Sequence, residues 1–138
     1  MMRMASVFIS RQAAMLVVNG MDNWRSPRTV MLALLYYAQE PLASKELPDL
    51  VAKVMKALGE ISANPAGEGL RPCIISDIAR AAENGLIDGK RLVERGEVEL
   101  TAGGRKFVRR HVLWLFKGCE DILRGAIAAN SVSRTQDG

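Results

Sequence analysis

Residues 30–38 read Val-Met-Leu-Ala-Leu-Leu-Tyr-Tyr-Ala, apolar on every side of a helical wheel. A helix without a polar face must be covered all round by other elements. This stretch therefore predicts a central helix, and the rest of the fold has to be arranged about it. Its start is marked by Ser26 as N-cap and Pro27 at the first helical position, where the missing N–H costs nothing. Pro41 marks its end. The uncharged apolar run from Thr29 to Gln39 is eleven residues, too short to span a bilayer.

The flanking segments supply the cover. Ser6 to Asn19, followed by Gly20, reads as a first helix. A third helix begins at Ser44, with Leu47, Leu50, Val51, Val54, Leu58 and Ile61 on one stripe and Asp49, Lys53, Lys56 and Glu60 off it. Ala63 to Arg71 reads as a loop. Pro72 opens a fourth helix that ends at Asn84-Gly85. Leu92-Val93 and Val98–Leu100 around Glu94-Arg95-Gly96-Glu97 give a β-hairpin signal. Ala102 to Asn130 holds one long helical pattern, and Ser131–Gly138 a polar tail expected to be disordered. The fold class expected is mainly α with a small β-hairpin, divided as 1–25 N-terminal helix and linker, 26–101 central domain, 102–130 terminal helix and 131–138 tail. Three helices followed by a two-stranded hairpin is the layout of a winged helix-turn-helix.

A chain of 138 residues buries roughly two thirds of its unfolded surface, so it needs no metal or disulfide to fold. Cys73 and Cys119 form no CxxC pair, which points to a reducing compartment. Arg11 and Gln12 interrupt the N-terminal apolar run, against a signal peptide, so a cytoplasmic location is expected. The formal charge is +4. Its excess lies in residues 71–110, a mild pointer to an anionic partner.

Residues 78–107 carry a sharper signal. Glu83-Asn84-Gly85-Leu86-Ile87 is followed, after the hairpin segment, by Leu100-Thr101-Ala102-Gly103-Gly104-Arg105. Gly85 permits the left-handed stop of a helix, Leu86 and Ile87 enter the core, and Thr101 is placed to N-cap the last helix. This pattern resembles the recognition-helix end and wing of PadR-like and MarR-like transcriptional regulators. The resemblance covers residues 27–107 in order and is sharp over about thirty of them. It implies a DNA-binding winged helix whose fourth helix enters the major groove, with Arg71, Ser76, Asp77 and Arg80 outward and Ile74, Ile78 and Ala81 inward. It also places Lys90, Arg91 and Arg95 on a wing near phosphate. The nine-residue loop before Pro72 is longer than the usual tight turn, and the fourth helix is lightly basic. A winged helix serving as a protein-interaction or assembly module, without sequence-specific DNA contact, is the other reading.

The terminal segment predicts a partner copy. Val108, Val112, Leu115, Cys119, Ile122, Ala126 and Ala129 are spaced 4, 3, 4, 3, 4, 3, a heptad seam, and a helix over 102–130 would span about 43 Å. A homodimer held by this helix is expected, with Phe107, His111 and Trp114 on a neighbouring face. Arg105, Lys106, Arg109 and Arg110 cluster at its start. Some PadR-like dimers hold flat aromatic compounds between tryptophans, which draws attention to Trp24 and Trp114, although packing is the ordinary role of such residues. A small-molecule effector has no further support. Cys73 is expected to be buried and inert. The single His111 has no nucleophile motif near it, and Gly85 to Arg91 lacks the spacing and the Ser/Thr of a phosphate loop. Neither an enzyme nor a cofactor is expected.

Overall fold

The computed structural model describes residues 25–59 and 67–137. The expected helix over Ser6 to Asn19 and Trp24 lie outside them. The described chain is mainly helical with a small antiparallel sheet: α1 (Pro27–Tyr37), β1 (Leu42–Ala43), α2 (Leu47–Ala57), α3 (Gly67–Glu83), α4 (Gly89–Arg95), β2 (Glu97–Val98), α5 (Ala102–His111), a 3-10 turn (Leu113–Phe116) and α6 (Glu120–Asp137). None of these helices is long and apolar enough to cross a membrane.

α1 is the central helix that its composition requires. Thr29 through Leu35 are buried without interruption, and α2, α3, α5 and α6 all pack on it. Ser26 caps it as expected, its hydroxyl accepting from the Thr29 backbone N–H at 3.2 Å. α2 begins at Leu47 rather than Ser44, because Ser44 to Glu46 form a turn leading out of β1. It buries Leu47, Leu50, Val51 and Val54 of the anticipated stripe; Leu58, just past its end, is half-buried, and Ile61 lies outside the described residues. α3 begins at Gly67 instead of Pro72, with the proline inside it. Pro72 removes a single bond near the start of a long helix, which tertiary packing against α1 and α2 tolerates.

The hairpin expectation fails in an informative way. Leu92-Val93 is not a strand, since Gly89–Arg95 is a helix with a cap at each end. The Asp88 carboxylate accepts from Lys90 N and Arg91 N at 3.1 and 3.2 Å, and Gly96 closes the helix at φ +65°. β2 pairs instead with β1, Leu42 opposite Val98 and Ala43 opposite Glu97. The chain beyond β2 bridges on its other side, Leu100 opposite Ile87. Segment 97–100 thus lies between β1 and Ile87.

Gly85 (φ +79°) stops α3, and Leu86, Ile87 and Leu100 drop into the core. The Thr101 hydroxyl donates to the Gly85 carbonyl at 2.6 Å and accepts from Gly104 N at 2.9 Å, tying the end of α3 to the start of α5. Gly104 sits so close to this crossing that a Cβ there would run into the Leu86 carbonyl.

The single long terminal helix is likewise corrected. It breaks after His111, winds through the 3-10 turn, and reverses at Gly118 (φ +87°), a conformation that non-glycine residues rarely adopt. The break lets the neighbours Leu115 and Phe116 both turn inward, and α6 folds back across α1 and α2. Val108, Val112 and Leu115 are buried inside the chain itself, whereas Cys119, Ile122 and Ala126 are half-buried and packed against the same core. They do not form one continuous seam. α6 also runs to Asp137, through residues expected to be a disordered tail.

Candidate nucleic-acid interface

α3 buries one face and offers the other. Ile74, Ile78 and Ala81 are in the core as anticipated. Arg71, Ser76 and Arg80 are exposed, as is Cys73, which was expected inside. Asp77 is the exception among the outward residues expected: it is only 7% exposed. Its Oδ1 lies 3.4 Å from Arg28 Nε, so the buried carboxylate anchors α3 to the start of α1 and offers nothing to a ligand. Burial raises its pKa above the ordinary carboxylate value, against the opposing charges of Arg28 and Arg80. The sequence signal for this pair is Arg28, in the first turn of a helix whose remaining faces are apolar.

Arg71 is held rather than free-swinging. Its guanidinium donates to the Lys45 carbonyl and to Asp49 Oδ1, both at 3.4 Å, so it stands beside the turn that leads from β1 into α2. Lys45 thereby joins the face, a residue that no local sequence pattern singles out. Ile75 also belongs to it, 54% exposed and one position beyond buried Ile74, which is a turn of about 100° around the helix.

Lys90 and Arg95 project from α4 into solvent. Arg91 does not. It lies 3.0 Å from Glu97 Oε1 and 3.6 Å from Glu99 Oε1, committed to the strand beside it. The carboxylates that interleave with these cations in sequence therefore neutralise one of the three and leave two.

The four cations of α5 divide in the same way. Arg105 donates to the Tyr36 carbonyl at 3.1 Å and stacks 4.8 Å above the Tyr36 ring, while Arg109 donates to the Tyr36 hydroxyl at 3.2 Å. Both fasten α5 to α1. Lys106 and Arg110 remain exposed.

His111 packs against Phe107 with ring centroids 5.0 Å apart. Burial and the nearby Arg110 lower its pKa. Trp114 is 60% exposed, its indole donating to the His111 carbonyl at 2.9 Å. Among the described residues no group of three or more His, Cys, Asp or Glu side chains is placed to hold a metal ion.

What the arrangement offers is a helix face with exposed cations at Arg80 and at Arg71, the latter paired with Asp49, together with the exposed Lys45, Lys90 and Arg95. No family model, no curated protein and no solved structure matches the chain.

Proposed function

We propose that this chain is a winged-helix DNA-binding protein acting in transcriptional regulation, with α3 as the helix that enters the major groove and α4 in the place of the wing. The observation that carries the reading is the order of the small sheet. Segment 97–100 lies between β1 and Ile87, α2 and α3 are inserted between β1 and Ile87 in the chain, and the outward side of α3 stays open. This order supports the winged-helix reading, with a capped helix where a hairpin tip usually stands. The spaced cations on α3 and α4 supply the phosphate contacts that position such a domain on a duplex.

The reading does not rest on a dimer through the terminal helix: of the expected seam, Val108, Val112 and Leu115 are buried within the chain, Cys119, Ile122 and Ala126 are half-buried on its core, and Ala129 is exposed. Fluorescence anisotropy with a labelled duplex, titrated at several salt concentrations, tests the reading. Affinity is expected to fall steeply as salt rises, through counterion release. An absence of duplex binding at low salt would reject it.

A further inference from the structure

Alongside α3 runs a groove of about 360 Å³ that neither core packing nor phosphate contact accounts for. Ile75, Ile78 and Ala79 of α3 and Leu92 of α4 line its body, and Lys45 and Arg71 stand over it. Its size falls in the range of sites that seat apolar groups. The groove is open to solvent, Ile75 of its lining being 54% exposed. Scattered exposed aliphatics are ordinary, but here they line a groove and stand beside two cations.

The chemistry selects the occupant. A duplex offers Ile75 and Leu92 no more than a thymine methyl at the edge of the major groove, whereas a protein segment can fill the groove with a side chain. Both charged residues of the lining are cations, and no carboxylate lines the groove among the described residues. Arg71 is positioned there by the Lys45 carbonyl and Asp49, with its side chain still 47% exposed. The complement is an apolar side chain flanked by negative charge.

We propose that the α3–α4 groove is a docking site for an acidic segment of a partner protein, which seats an apolar side chain between Ile75 and Leu92 and sets its carboxylates on Lys45 and Arg71. A segment bound there covers the outward face of α3 and excludes a duplex from it. The proposal rests on the groove itself and stands independently of DNA binding.

A random-peptide phage library panned on the full chain tests it, with the Ile75→Glu chain as the counter-target. Enriched peptides are expected to combine carboxylates with a large apolar residue. Synthetic copies should lose affinity by about tenfold or more on Ile75→Glu and on Ala79→Arg, since apolar anchors dominate such contacts. Arg71→Glu should weaken the same peptides. Ile75 and Ala79 are exposed, so both variants should unfold in urea as the parent does, which separates a failure to dock from a failure to fold. Failure to enrich any peptide on the parent over the Ile75→Glu chain would overturn the proposal. So would enrichment of basic peptides, or peptides indifferent to both groove substitutions. If Ile75→Glu instead reduces duplex affinity while no peptide is selected, the strip belongs to a nucleic-acid face and the docking site is rejected.

Discussion

The carboxylate of Asp77, in the middle of α3, lies 3.4 Å from Arg28 Nε in the first turn of α1, with both side chains largely withdrawn from solvent. This contact fixes the helix that carries the candidate interface to the helix that organises the core. Arg28→Met would leave the Asp77 charge buried without its partner, at a cost of about 3–5 kcal/mol near neutral pH. Because burial holds the folded pKa of Asp77 above its unfolded value, the folded protein binds this proton more tightly than the unfolded chain. Stability from this group is therefore present at acidic pH and lost as pH rises through the folded pKa. The damage from Arg28→Met should shrink as pH is lowered toward the carboxylate range. Urea unfolding of parent and variant at neutral and acidic pH measures this. A destabilisation that is constant with pH would contradict it.

Gly103 and Gly104 make a matched pair at the start of α5. A Cβ at Gly104 would overlap the Leu86 carbonyl, whereas at Gly103 its nearest neighbour would be Thr101 Oγ1 at 3.8 Å. Gly104→Ala should destabilise the fold by about 1–3 kcal/mol through overpacking. Gly103→Ala should be neutral or stabilise by up to about 1 kcal/mol, from helix propensity. Equal denaturation midpoints for the two variants would show that the crossing at Leu86 has room.

Leu123 and Phe116 are fully buried in the chain's own core. Leu123→Ala should cost about 2–5 kcal/mol by leaving a cavity. The loss should be the same at low and high protein concentration, since both side chains lie wholly inside one chain. A loss that varies with concentration would contradict that burial.

The cations near α4 should behave unequally on DNA. If α3 and α4 hold a duplex as proposed, Arg80→Ala, Lys90→Ala and Arg95→Ala each take away one exposed positive charge, so each should lower the slope of log affinity against log salt by about one unit. Arg91→Ala should leave that slope unchanged, because Glu97 and Glu99 already hold its guanidinium. Four identical slopes would remove the distinction.

Much of the fold is legible in the sequence where one local signal has no competitor. Ser26-Pro27 before an all-apolar run can only begin a central helix, and Gly85-Leu86-Ile87 can only stop one and enter the core. Expectation and structure part where two signals compete. Asp88 and Gly96 bracket a good helix, but the Glu94-Arg95-Gly96-Glu97 run across its end also reads as a turn, and seven residues are too few for periodicity to arbitrate. The heptad spacing from Val108 to Ala129 runs through Gly118, whose backbone reverses the chain. Spacing records which residues are apolar and not whether the backbone between them is continuous. At the candidate interface, Arg71, Ser76 and Arg80 face outward as their spacing predicts, and Asp77 does not. Its partner Arg28 lies 49 positions away, beyond the reach of any local pattern.

The reversal at Gly118 has a consequence for how the molecule is made. α1 leaves the ribosome well before α6, one of the helices that covers it. Until Leu123 arrives, α1 and α2 lack their final covering layer. Between the emergence of α1 and that of α6 the nascent chain therefore carries an open apolar seat, and ribosome-bound chains stopped before Leu123 should remain protease-sensitive and chaperone-bound where the released chain is not.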